Sequence, residues 1–303
     1  MKQELRIIIT QACNYNCYFC HHEGLYKMKK TMLTAEDLSY LYEVANRNLQ
    51  MARMTLTGGE PFVLKNIVDV VKSLDELGCE LTVVTNGSYL EEKIEACKYI
   101  KKLNISMHSL NKDEYEKIVG KEDTFEKVIN SIKIVRSKYP NLEINLNYAF
   151  INCENIYEKV TDLIEFAKEN KLNIKFIELF PKNCKDFIAI ENLQAFLLNN
   201  GHTILETNDR KTKFSNTKDS YIYTTKCFCS RALDFDSPSD FCNKNNDVFI
   251  TPDGNAKVCR MKKDEIELLN DIKNRNEVEL AKKLKESFEK LGKDCLFEKK
   301  VVS

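Results

Sequence analysis

Two hydrophobic patterns alternate along the first 181 residues of this chain. Short β-type runs such as Leu5–Thr10 are each followed by a stretch with apolar residues three or four positions apart, as in Leu38, Leu41 and Ala45. The predicted strands are Leu5–Thr10, Arg53–Thr57, Glu80–Val84, Leu103–His108, Leu142–Phe150 and Asn173–Phe180. Because such alternation is typical of a parallel sheet with crossover helices, it predicts an α/β fold with six strand–helix units.

The pattern weakens after the sixth predicted strand. Periodicity is poor over Lys182–Lys226, and the polar stretch Thr207–Asp219 is interpreted as a loop or a joint between domains. We therefore expect one domain over residues 1–181 and a C-terminal extension over residues 182–303.

Composition excludes several classes of protein. The chain has 303 residues, of which 43% are hydrophobic, and its 46 basic and 46 acidic residues give a formal charge of zero. A sizeable core is therefore expected, and nucleic acid is not indicated as a partner. Met1 leads directly into a strand and no apolar run is long enough to span a bilayer, so we expect a cytoplasmic protein without a membrane partner. Twelve cysteines in that reducing compartment favour metal clusters over disulfides.

Three of these cysteines stand together directly after the first predicted strand. Cys13, Cys17 and Cys20 have the spacing C-x3-C-x2-C, which lets one loop bring three thiolates to one metal centre. Thiolate sulfur selects zinc or iron–sulfur clusters. One interpretation is a closed zinc site with His21 or His22 as the fourth ligand. The other is a [4Fe–4S] cluster held by three cysteines, with one iron left open.

The loop resembles that of the radical S-adenosylmethionine (SAM) enzymes, which reads C-x3-C-x-aromatic-C. Phe19 fills the aromatic position, and Gly58-Gly59-Glu60-Pro61, about forty residues later, looks like the GGEP motif of that family. The resemblance implies a partial (β/α)6 barrel, SAM bound at the open iron, and reductive cleavage of SAM to a radical that abstracts a substrate hydrogen. By resemblance, the residues expected around SAM are Phe19, Gly58, Gly59, Glu60, Thr85, Asn86, Ser106 and Phe180.

A second group of cysteines lies in the extension. Cys227, Cys229, Cys242 and Cys259 fall within a short segment and predict a second metal site, either an iron–sulfur cluster or structural zinc. Cys242-Asn243, followed by Asp253-Gly254 and Cys259, resembles the GTP 3′,8-cyclase (MoaA-like) subgroup of molybdenum-cofactor biosynthesis. That subgroup holds an auxiliary cluster with its C-terminal cysteines.

The resemblance to the cyclases breaks at the positions that bind phosphate. Ala12, Thr55 and Asn145 replace cations of the subgroup, and Lys244 and Asn246 stand where it has paired arginines. A triphosphate needs several cations, and each missing charge-assisted contact costs about 1.5–3 kcal/mol. The sequence therefore predicts radical SAM chemistry on a less anionic substrate.

Four polar residues near predicted strand ends are candidates for contact with that substrate. They are His108, Asn145, Asn147 and Glu178, and structural hydrogen bonding is the alternative for each.

The leading hypothesis is a radical SAM enzyme acting on a small molecule or peptide, reduced by an external donor such as flavodoxin or ferredoxin. The alternatives are GTP 3′,8-cyclisation, a peptide-modifying radical SAM maturase, and a zinc-binding scaffold protein.

Overall fold

A computed structural model describes residues 3–25, 27–179, 185–227, 229, 239, 242, 246–293 and 295. All strands in these residues belong to one sheet of twelve strands. They are β1 (Glu4–Thr10), β2 (Arg53–Gly58), β3 (Glu80–Thr85), β4 (Lys102–Ser106), β5 (Glu143–Phe150), β6 (Asn173–Glu178), β7 (Ile204–Thr207), β8 (Lys211–Thr217), β9 (Ser220–Thr225), β10 (Asp247–Ile250), β11 (Asn255–Lys257) and β12 (Ile266–Glu267).

The centre of the sheet is parallel and follows the chain. Strands β1 to β6 pair in sequence order, as the α/β pattern predicts. Two strands from the later part of the chain extend this parallel region, since β10 pairs with β1 and β9 pairs with β6. The sheet runs from β12 to β7 without closing in the described residues, so the barrel is partial.

Helices cover one face of the sheet. Their bounds are α1 (Ala35–Leu49), α2 (Ile67–Glu76), α3 (Lys112–Val119), α4 (Phe125–Lys138), α5 (Ile156–Glu169), α6 (Ile190–Asn199), α7 (Leu269–Lys273) and α8 (Glu277–Glu289). Helix α1 begins with a capping box, in which Thr34 and Asp37 bond to each other's backbone N–H groups. Leu5, Ile7 and Ile9 of β1 pack in the large core that includes the helices. The opposite face, which carries the alternate residues of each strand, is called the interior face below.

The C-terminal extension contributes strands to the same sheet as the barrel. Strands on both sides of the predicted boundary at residue 181 share the same sheet, and the division into 1–181 and 182–303 stays a prediction about sequence organisation. The interpretation of Thr207–Asp219 as a loop is wrong, because Lys211–Thr217 forms β8. This strand buries only Thr212 and Phe214, so its apolar alternation was too weak to recognise.

The alternation of strands and helices also predicts a crossover helix between β3 and β4, over Glu91–Lys101, and no α-helix forms there. A 3₁₀ helix spans Ile94–Tyr99 instead. The Lys101 N–H already donates to Leu81 O at the start of the next strand pair, which leaves too short a run for a stable α-helix.

None of the helices in the described residues has the length and apolar character needed to cross a membrane.

Candidate functional site

The three clustered cysteines lie beyond the C-terminal end of β1. Cys13 and Cys20 are exposed, Cys17 is half-buried, and all three are free thiols. Two backbone contacts shape the turn, since Cys20 N donates to Cys17 O at 3.0 Å and Tyr15 N donates to Cys13 Sγ at 3.4 Å. The loop therefore presents its sulfur atoms at the edge of the sheet where parallel α/β enzymes bind their ligands.

The electrostatics of this loop suit a metal cluster. Desolvation raises the pKa of all three thiols, and together with the neighbouring Cys20 and Cys13 it raises that of Cys17 to about 12. Thiolates so placed need a cationic partner, which a bound metal provides. A [4Fe–4S] cluster held by these three cysteines fits the donor set.

The two histidines of the zinc alternative lie beside the cysteine loop. His22 Nδ1 lies 3.9 Å from Cys20 Sγ, and His21 Nδ1 accepts a hydrogen bond from Glu23 N at 3.0 Å. Among the described residues, no three His, Cys, Asp or Glu side chains are already arranged around one metal-ion position, which holds for the zinc set and for the cysteine triplet alike.

The glycine motif fastens the end of β2 to the base of the cysteine loop. Gly59 N donates to Thr10 O at 2.7 Å, and Glu60 N donates to Ala12 O at 2.8 Å. A Cβ on Gly58, which has φ +147°, would lie 2.3 Å from Thr10 O, and one on Gly59 would lie 2.2 Å from Ala12 O. Only glycine permits this approach, so the motif fixes where the cysteine loop begins.

Glu60 is fully buried and connects three segments of the site. Its Oε1 accepts hydrogen bonds from Phe62 N at 2.9 Å and from the Thr85 hydroxyl at 2.8 Å, and its Oε2 accepts from Asn86 N at 2.6 Å. Burial raises the pKa of Glu60 to about 7 in spite of these bonds. An ammonium group nearby would favour the ionised form.

Two residues that the sequence interpretation missed complete this connection. Asn14, inside the cysteine loop, accepts from Asn86 Nδ2 at 2.8 Å and donates to the Ser88 hydroxyl at 2.9 Å. Ser88 donates back to Asn86 Oδ1 at 2.7 Å. The location of Asn14 between two predicted cluster ligands was the only signal for this role.

The ring of Phe19, the aromatic residue of the cysteine loop, packs against the ring of His108. The rings of Phe19 and His108 lie 4.9 Å apart at an interplanar angle of 80°. Burial lowers the pKa of His108 to about 4, and its Nδ1 accepts a hydrogen bond from Ala149 N at 3.3 Å. His108 is therefore neutral and supports Phe19. Ser106 ends β4 opposite Asn147 of β5, whereas Phe180 lies outside the described residues.

The other substrate candidates divide into two kinds. Asn145 donates to Asn104 Oδ1 at 2.9 Å, and Glu178 accepts from Ile190 N and Cys227 N, both at 3.2 Å. Both side chains are buried and serve hydrogen bonds within the protein. Asn147 differs, because its Oδ1 is buried without a hydrogen-bond partner.

The second group of cysteines is brought together around Cys229. Burial, together with the neighbouring thiols of Cys227, Cys242 and Cys259, raises the pKa of Cys229 to about 12. Burial also raises the pKa of Cys242 to about 11, with Cys295 as the next contributor. Cys295, which is not one of the four cysteines predicted for this site, is thus a neighbour of the group.

An ion pair joins the two cysteine regions. Glu23, three residues after Cys20, lies 2.9 Å from the guanidinium of Arg260, which follows Cys259. Burial works against the charge of Glu23, but Arg260, His21 and Arg6 together lower its pKa to about 2. The two loops are therefore held in register by a partly buried charge pair.

Comparison with known proteins identifies the family. The family model described as "Radical SAM superfamily" matches residues 7–167 of this chain. A GTP 3′,8-cyclase of Clostridium perfringens is 30% identical over 280 residues, which are 89% of this chain and 84% of that protein. A probable GTP 3′,8-cyclase of Thermococcus kodakarensis is 37% identical over 178 residues, 58% of this chain and 56% of that protein. Molybdenum cofactor biosynthesis protein moc-5 of Caenorhabditis elegans is 29% identical over 89% of this chain and 45% of its own length. The chain thus spans about half the length of the last two relatives.

Solved structures share the fold. Streptococcus suis SuiB bound to S-adenosylmethionine matches with a TM-score of 0.64 at 14% identity, covering 89% of this chain and 64% of SuiB. The anSMEcpe structure with bound AdoMet matches with a TM-score of 0.58 at 18% identity, covering 95% and 84%. With the family match over more than half of its length, the chain belongs to the radical SAM superfamily.

Proposed function

We propose that this protein is a radical SAM enzyme that abstracts a hydrogen atom from a small molecule or peptide, with Cys13, Cys17 and Cys20 holding the [4Fe–4S] cluster. The observation that carries the proposal is the fastening of the cysteine loop by the glycine turn and by Glu60. When bound, the reduced cluster supplies the electron that cleaves SAM and generates the abstracting radical.

The residues of the chain hold and orient SAM. Backbone groups of Gly58 and Gly59 and the Glu60 carboxylate lie where the SAM ammonium is expected, since an ionised carboxylate is its natural partner. Phe19, held by His108, offers an aromatic face for the adenine. Thr85, Asn86 and Ser106 complete the rim of the site.

Cys227, Cys229, Cys242 and Cys259 are proposed to hold a second iron–sulfur cluster. Their mutual influence on pKa supports one shared site, and Cys295 is a further candidate ligand. Structural zinc is the competing interpretation. Metal analysis separates the two, because a C242A variant that loses iron supports a cluster, whereas one that loses zinc and keeps all its iron contradicts it.

An external one-electron donor such as flavodoxin or ferredoxin is proposed to reduce the first cluster. The described cysteines are all free thiols, which suits the reducing cytoplasm. Reduction by purified flavodoxin, followed by the appearance of 5′-deoxyadenosine, tests this part of the proposal.

Cyclisation of GTP is the second candidate function, because the curated relatives that cover most of the chain carry that name. The argument against this function is that uncharged residues replace the cations with which the cyclase subgroup binds phosphate. These residues are Ala12, Thr55 and Asn145. A peptide-modifying maturase is a further alternative within the same chemistry.

The deciding experiment uses anaerobically reconstituted, reduced protein with SAM. We expect 5′-deoxyadenosine and methionine to form, and no such products from a C17A variant. A C97A variant is the matched control, since Cys97 is buried and belongs to neither cysteine group. Deuterium at the 3′ carbon of GTP then tests cyclisation, because its transfer into 5′-deoxyadenosine would establish GTP as the substrate.

A further inference from the structure

Three adjacent strands place polar side chains side by side on the interior face. In one row of the register, Asn147 of β5 lies opposite Lys175 of β6, which lies opposite Tyr223 of β9. In the row nearer the cysteine loop, Ile177 of β6 lies opposite Thr225 of β9. Asn147, Lys175 and Thr225 are called the interior patch below.

Two buried side-chain oxygens of this patch have no hydrogen-bond partner in the part of the chain that the structure describes. Asn147 Oδ1 and Thr225 Oγ1 are buried without a hydrogen bond, as is Arg6 Nε across the barrel. Among the described residues, no carboxylate lies within ion-pair distance of Lys175. Native proteins rarely leave several buried polar groups unsatisfied in one place, so the patch points to a bound ligand.

Positively charged side chains surround Lys175. Burial, together with the nearby charges of Lys211, Lys102, Arg6 and Arg210, lowers its pKa to about 7. Lys211 shares this environment, and burial followed by Lys102 lowers its pKa to about 8. An anion placed between these amines would relieve the repulsion and restore their charge.

Most of the other cations are already paired. Lys102 lies 2.8 Å from Glu143, and Arg210 lies 3.3 Å from Asp247. Burial opposes the charge of Arg6, but Asp247, Glu23 and Glu4 raise its pKa. Neither Lys175 nor Lys211 has a carboxylate within ion-pair distance in the described part of the barrel. Glu143 and Glu206 act on Lys211 from further away, and its Nζ lies 3.9 Å from the centroid of the Tyr223 ring. The charge available therefore suits a group with about one or two negative charges.

We propose that the interior patch binds an oxyanion group of the substrate, a carboxylate or a phosphate monoester. This inference rests on the proposed function only for the identity of the bound molecule as the substrate. Lys175 supplies the opposing charge, and the Thr225 hydroxyl donates to an anion oxygen. Asn147 fixes the adjoining part of the ligand through its unpaired amide oxygen.

The first test measures protection of Lys175 by inorganic phosphate. The reconstituted protein is treated with a trace of acetic anhydride at pH 7, and acetylation of each lysine is read by peptide mass spectrometry. We expect phosphate to slow acetylation of Lys175 at least fivefold and to leave exposed Lys168 unchanged. Protection by acetate as well as phosphate indicates a general oxyanion site, and protection by phosphate alone indicates a phosphate ester. No protection by either anion would overturn the proposal.

The second test uses variants. Phosphate is expected to raise the melting temperature of the wild type and of the K168M control, but not that of K175M. Should K175M fail to fold, T225V serves instead and is expected to weaken phosphate binding several-fold. N147A should leave the binding of inorganic phosphate unchanged, because the Asn147 amide oxygen is an acceptor and is assigned to the adjoining part of the ligand. Unchanged phosphate binding in both K175M and T225V would contradict the proposal.

Neither test needs SAM turnover. Failure of SAM cleavage with intact phosphate protection would reject the proposed function alone, and the reverse result would reject the interior patch alone.

Discussion

The rim of the barrel and its interior face differ in whether their polar side chains have partners within the described part of the protein. At the rim, the loops after β1, β2 and β3 are joined through Asn14, Glu60, Thr85, Asn86 and Ser88, and each of these side chains has a partner within the protein. On the interior face, Lys175 has no ion-pair partner, and buried atoms of Asn147 and Thr225 have no hydrogen bond among the described residues. A site for a fixed cofactor is completed by the protein, whereas a site for a particular substrate is left for that substrate to complete.

The largest effect is expected at the cysteine loop. A C17S substitution removes one of three cluster ligands, and a hydroxyl is a poor ligand for iron in such a cluster. We expect loss of about four iron atoms per chain and of all 5′-deoxyadenosine formation. Iron analysis and product chromatography measure both, and a C97A variant should keep both.

The glycine turn should be nearly as sensitive. G59A places a Cβ 2.2 Å from Ala12 O, a backbone atom that cannot move without displacing the cysteine loop. We expect a loss of about 1–3 kcal/mol in the free energy of unfolding and greatly weakened SAM binding.

The matched control is G78A, since Gly78 has φ +78° but nothing within 4 Å of the added Cβ. It should cost about 1–2 kcal/mol from backbone strain and leave SAM binding unchanged. Equal SAM affinity in G59A and G78A, by isothermal titration, would show that the turn does not position the site.

The parts of the rim that could be predicted are those in which the chemistry restricts the residue type at single positions. The spacing of Cys13, Cys17 and Cys20 and the GG dipeptide are local signals, because ligand geometry and positive φ restrict single positions. Asn14 and Ser88 gave no such signal, since their partners are far away in sequence. The interior face was less predictable still. Lys175 lies on the predicted sixth strand, whereas Lys211 comes from the segment whose polarity concealed β8, and only the register of the sheet brings them together.

Binding of SAM should depend on pH through Glu60. Its pKa in the folded protein is raised to about 7 by burial, and an ammonium ligand binds the ionised carboxylate. Below that pH a proton must leave on binding, so SAM affinity should fall up to about tenfold per pH unit as pH decreases. The E60Q variant should bind SAM weakly with no such pH dependence.

Stability of the SAM-free protein should change in the opposite sense. A carboxyl with a raised pKa stabilises the folded state at low pH, and this contribution is lost as pH rises through about 7. Denaturant unfolding of wild type and E60Q at pH 5.5 and pH 8 checks the sign. An equal pH effect in both proteins would exclude Glu60 as its source.

Two asparagines on β5 allow a side chain with a partner to be compared directly with one whose oxygen has none among the described residues. N145A leaves Asn104 buried without its partner, so we expect a loss of about 1–3 kcal/mol in the free energy of unfolding. N147A removes an acceptor atom that has no partner among the described residues, so the free energy of unfolding should change by less than about 0.5 kcal/mol. Denaturant titration of both variants measures these changes, and equal losses of stability in N145A and N147A would refute the distinction.

The smallest effect is expected from a change that adds charge to the interior. Glu143 is 41% exposed and pairs with Lys102 at 2.8 Å, so the pair itself contributes little to stability. E143Q removes one negative charge at the N-terminal ends of the strands and leaves Lys102 without this partner near Lys175 and Lys211. Phosphate should then bind about two- to threefold more tightly at low ionic strength, and this gain should disappear at high salt because exposed charges are screened. E165Q on α5, which removes the partner of exposed Lys168, is the control and should leave phosphate binding unchanged. A gain of the same size in both variants would mean that net charge, rather than the interior patch, attracts the anion.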